Sequence, residues 1–132
     1  MANADSTRIG RQAFAQRRWR EAYECLSAVA DELAPGDLEL LAGAAYLIGN
    51  EAEAVAAWSR AYRRFDEEGD ALRAARCGFW LSLVLLLAGE GAQGAGWLER
   101  VRRGLKGHAD SVEAGLSRVI AGIMAMGRDA GQ

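Results

Sequence analysis

A chain of 132 residues that is 51% hydrophobic is long enough to bury a continuous core as one domain, without the disulfides or metals that smaller chains need. Its apolar residues are mostly Ala and Leu and it has a single proline, which favours helix over sheet. A net charge of -2 excludes a global attraction to nucleic acid or anionic lipid.

The opening MANADSTRIG lacks the basic start, apolar stretch and cleavage site of a secretory signal, and no apolar run reaches membrane-spanning length, so a cytoplasmic protein is expected. The first helix is expected over 6–17 and the second over 19–32, before Pro35-Gly36 forces a turn. Asp37 should cap a third helix that ends at Gly49-Asn50. A fourth helix over 51–68 buries Val55, Trp58, Tyr62 and Phe65, which fall on one helical stripe. Gly69 ends it and Asp70 caps a fifth, whose apolar run 77–88 suits a helix buried on most sides. After Gly89 a sixth helix carries Trp97, Leu98 and Val101, and Asp110 to Glu113 gives a capping-box-like start to a seventh, over 110–127. Cys25 and Cys77 fall far apart in these helices without CxxC spacing, as reduced, buried thiols would.

An internal repeat runs through these helices. Ala22, Ala54 and Gly94 are each followed by a large apolar residue four positions on and a medium or small one seven on, namely Leu26 and Val29, Trp58 and Ala61, Leu98 and Val101. A small residue at that point lets two helices cross closely while the larger ones fill the space beside it. The spacing resembles the second helix of tetratricopeptide repeats, with Gly49 and Gly89 at that family's inter-helix glycine. The intervals of 32 and 40 residues depart from the family's usual period. The wording of 10–28, 37–65 and 75–105 is similar to the tetratricopeptide-like region upstream of the DNA-binding domain in actinobacterial LuxR-type regulators. The resemblance implies an all-α, right-handed superhelical stack of antiparallel helix pairs, one domain over 1–132. Its repeats would be 6–34, 37–68 and 70–106, with a partial fourth repeat or capping helix over 110–127. It also implies a region that senses or assembles and does not itself touch DNA, lying within a larger regulator or standing alone.

Gly89-Glu-Gly91-Ala-Gln-Gly94 is a literal GxGxxG, the pattern of a dinucleotide site, which would make this a small nucleotide-binding enzyme. The preceding run has Val84 as its β-branched residue and no second strand to pair with, so turn and packing roles are expected for these glycines. His108, the sole histidine, has neither a nucleophile nor a ligand set beside it. The Arg clusters at 17–20, 60–64 and 100–106 read as solvated helix ends. No catalytic, cofactor or metal site is expected, and the chain is read as a non-enzyme.

What remains is the concave face lined by the first helix of each pair. The family pattern puts Arg11 and Phe14 there from the first helix and Glu39, Gly43, Tyr46 and Leu47 from the third. It adds Arg76, Phe79, Leu83 and Leu86 from the fifth, and Ser117, Ala121 and Met124 from the seventh. Phe14, Tyr46 and Phe79 are expected to form its aromatic stripe. An open groove for a peptide, a helix or an apolar small molecule and a sealed core both fit this composition. A homo-oligomeric scaffold is the other reading, with the 110–127 helix pairing with its copy or covering the groove of its own chain.

Overall fold

The computed structural model describes residues 2–106, which form α1 (Ala2–Ala15), α2 (Trp19–Ser27), a 3-10 turn (Ala30–Glu32), α3 (Pro35–Leu47), α4 (Glu51–Glu67), α5 (Ala71–Leu87) and α6 (Gly91–Gly104). No strand occurs among them. The expected helix over 110–127 lies outside the described residues. Packing divides the chain into two compact units, Met1–Ala61 and Tyr62–Gln132, with α4 running through the division.

Where the helices stop is set by local chemistry. Pro35 pushes the residue before it away from helical backbone, and Leu33 and Ala34 are extended; the expected single helix over 19–32 is instead α2, which ends at Ser27, followed by a 3-10 turn over Ala30–Glu32. Pro35 then opens α3 at its first position, where a missing N–H costs nothing. The turn expected at Pro35-Gly36 is therefore helix, and Asp37 is no cap. Asp70 does cap α5, its carboxylate accepting from the Arg73 N–H at 3.2 Å. The exits of α3 and α5 share one hydrogen-bond pattern: Gly49 N–H to Tyr46 C=O and Asn50 N–H to Ala45 C=O, then Gly89 to Leu86 and Glu90 to Leu85. That pattern puts its turn residue in left-handed backbone, at φ 87° in Gly49 and 83° in Gly89. The exit of α1 uses the same bonds, Arg17 to Phe14 and Arg18 to Ala13, and there the left-handed residue is Arg17 at φ 61°.

One buried register runs through the three helix pairs. Gly10, Ala42 and Ser82 in the first helices stand twelve residues before Ala22, Ala54 and Gly94 in the second, and all six are buried. Sixteen residues on from the first set come Leu26, Trp58 and Leu98, nineteen on Val29, Ala61 and Val101, and twenty-three on Leu33, Phe65 and Leu105, again all buried. The small residues interlock with what faces them: a Cβ on Gly10 would stand 2.6 Å from Leu26 Cγ, and one on Gly94 would stand 3.0 Å from the Ser82 carbonyl oxygen. Each buried Leu or Val in the register contributes about 1.5 to 3 kcal/mol relative to exposure.

In the first unit α1, α2 and α3 touch one another pairwise, around a cluster of Ala13, Ala22 and Ala44 flanked by Phe14 and Tyr23. The Asn50 side chain donates to the Tyr23 hydroxyl at 3.3 Å and accepts from the Glu53 N–H at 3.3 Å. In the second unit α5 packs along α6, with Ala75, Val101 and Leu105 clustered. Gly78 lets Val101 come so close that a Cβ would meet its Cγ2 at 2.5 Å. Burial of α5 is less complete than its apolar run suggests. Cys77, Leu81, Val84 and Leu85 are buried, but Leu72, Trp80 and Leu87 are 37%, 41% and 68% exposed. Cys77 is the buried thiol that was expected and Cys25 is half-buried.

Candidate functional site: the open faces of α1, α3 and α5

Each first helix has one side turned away from its partner, and the expected groove residues fall there. Counted from Gly10, Ala42 and Ser82, the next residue is Arg11, Gly43 or Leu83, and the fourth is Phe14, Tyr46 or Leu86. The fifth is Ala15, Leu47 or Leu87, and the third before is Thr7, Glu39 or Phe79. None of these twelve is buried, whereas the interlocking positions are buried in every pair. Within the described residues these positions are half-buried or exposed, and Phe14 still packs against the cluster of Ala13, Ala22 and Ala44. Met124, Ser117, Ala121 and His108 lie outside the described residues.

In the first unit α1 and α3 bring their open sides together. Arg11 donates through Nε to Asp37 Oδ1 at 2.7 Å and through a terminal nitrogen to Asp37 Oδ2 at 2.6 Å, a two-pronged bond between planar groups. The hydrogen bond and the charge of Asp37 together raise the Arg11 pKa above its already high ordinary value. Arg11 is thus a clamp across α1 and α3, held by a carboxylate whose side chain is only 9% exposed. One turn on, the Phe14 ring lies where a Cβ on Gly43 would meet it at 3.4 Å, and its other side takes Trp19 edge-on at 5.1 Å between centroids. Tyr46 is 36% exposed and leans on the buried Trp58 at 6.2 Å, while Leu47 beside it is 55% exposed. Glu39 is half-buried.

In the second unit the open side of α5 carries Arg76, Phe79, Leu83 and Leu86. Arg76 is exposed and the other three are half-buried. Phe79 meets Trp80 edge-on at 5.6 Å. Phe79 is not the counterpart of Phe14 and Tyr46, as expected for the stripe: those two stand eight residues before Ala22 and Ala54, and eight before Gly94 is Leu86. Phe79 lies two turns earlier on the same face. Trp80, Leu72 and Leu87 also belong to this side and were missed, although their spacing to Leu83 carried the signal.

The remaining sequence signals resolve into packing and surface. Gly89 is the left-handed turn residue after α5, Gly91 opens α6, and Gly94 is the tight crossing on α5, so the GxGxxG joins helix to helix and not strand to helix. Arg18 pairs with Glu21, Arg60 reaches the Ala30 carbonyl at 3.3 Å and Asp31 at 3.4 Å, and Arg100 lies over the Trp97 ring at 4.7 Å. A hollow of about 30 Å³ in the second unit is bounded by Tyr62, Asp66, Arg100 and a floor that includes Ala74, Ala75 and Val101. It has room for about two waters and no larger ligand. Burial, then the charge of Asp66, raise the Tyr62 pKa against the opposing pull of Arg100 and Arg103. No group of His, Cys, Asp and Glu among the described residues could hold a metal ion, and no helix there is long and apolar enough to cross a membrane.

The chain matches no protein-family model, no curated protein and no solved structure.

Proposed function

We propose that this chain is a tetratricopeptide-like, non-enzymatic interaction or ligand-sensing module, related to or part of a LuxR-type transcription regulator and acting in the cytoplasm. Its pairs would stack in a right-handed superhelix whose concave side takes a peptide, a helix or an apolar small molecule. The observation that supports this reading is the shared register: the same offsets are buried in all three pairs, and the offsets facing away on each first helix are half-buried or exposed and include Phe14, Tyr46, Leu47, Phe79, Leu83, Leu86 and Leu87. On α5 alone Leu72, Trp80 and Leu87 are exposed, and a cluster of large apolar side chains in water usually marks a contact. The Arg11–Asp37 clamp fits the role as well, since it fixes α1 against α3 and leaves Phe14, Tyr46 and Leu47 on a rigid base.

Native mass spectrometry of the purified chain tests the proposal. A bound molecule is expected in the wild type and lost in Tyr46→Ala combined with Phe79→Ala, while the double variant keeps its helical circular dichroism. A mass of two chains, reduced to one in that variant, would favour the homo-oligomeric scaffold. A bare monomer in both proteins, with no measurable affinity for apolar peptides, would refute both.

A further inference from the structure

We draw no further inference here: the strongest candidate, the hollow of the second unit lined by Tyr62, Asp66, Arg100 and Val101, has room for about two waters and carries charges of both signs on its lining, so nothing in the structure selects a ligand for it.

Discussion

Alanine at Gly94 and alanine at Gly96 add one methyl group to the same helix, two residues apart, and only the one at Gly96 should stabilise the fold. Both sites lie inside α6, where Gly to Ala gains about 1 kcal/mol of helix propensity. At Gly96 nothing lies within 4 Å of the new Cβ, so the full gain appears as stability. At Gly94 the methyl would stand 3.0 Å from the Ser82 carbonyl oxygen and 3.4 Å from the Leu86 nitrogen, both backbone atoms of α5 that cannot swing aside. Forcing two packed helices apart by a few tenths of an ångström costs about 1 to 3 kcal/mol. The methyl's own gain is cancelled or exceeded, and the two variants should differ by about that clash. Urea unfolding followed by circular dichroism reads the difference: with a slope of about 2 kcal/mol per molar, Gly96→Ala raises the midpoint by about 0.5 M, and Gly94→Ala leaves it unchanged or lowers it. Equal rises in the two variants would show that α5 and α6 do not cross closely at Gly94, and the buried register would lose its third member.

The other small positions obey the same logic, so Ala22→Leu and Ala54→Leu should each lose about 1 to 3 kcal/mol, and unchanged denaturation midpoints would refute the register in the first unit. Arg17 holds the left-handed turn that glycine holds after α3 and α5, so Arg17→Gly should gain up to about 1 kcal/mol by the same measurement, part of the relief being returned to a more flexible unfolded chain. Asp37→Asn weakens a clamp whose Arg11 side is 58% exposed, for a loss of about 1 kcal/mol; Asn in place of Asp that leaves the midpoint untouched would show that α1 and α3 are held by packing alone. Because the folded pKa of Tyr62 lies above its ordinary 10.0, its contribution is complete below that value and is lost as pH rises through the folded pKa. Tyr62→Phe should flatten the decline in unfolding midpoint above pH 10, and titration of tyrosinate absorbance should show one late phenol that the variant lacks.

Much of this architecture was legible in the residues. The small Ala22, Ala54 and Gly94, with a large apolar residue four positions on and another apolar residue seven on, located the second helices, because helix crossing demands a missing side chain at a fixed phase. Their partners Gly10, Ala42 and Ser82 went unread: three different residue types carry no shared identity, only a shared lack of bulk. Tyr46 and Leu47 were placed on a concave face by the tetratricopeptide resemblance, and among the described residues they are 36% and 55% exposed. Arg11 was placed there too, but no local pattern could pair it with Asp37, 26 residues away in sequence.

Among the described residues the sequence by itself determined that the chain is helical, the glycine and Asp70 boundaries and the phase of the apolar stripes, since these depend on backbone preferences and on periodicity within a few turns. It misplaced the end of α2 and the start of α3. Only tertiary structure decided which side of each stripe is core. Leu81 and Leu83 sit two residues apart in one apolar run, yet Leu81 is fully buried and Leu83 half-open, because burial is set by where the partner helix lies. The Arg11–Asp37 clamp and the close crossing at Gly94, where an added Cβ would stand 3.0 Å from the Ser82 carbonyl oxygen, both arise from contacts between segments, and such contacts leave no trace in the composition of either segment alone.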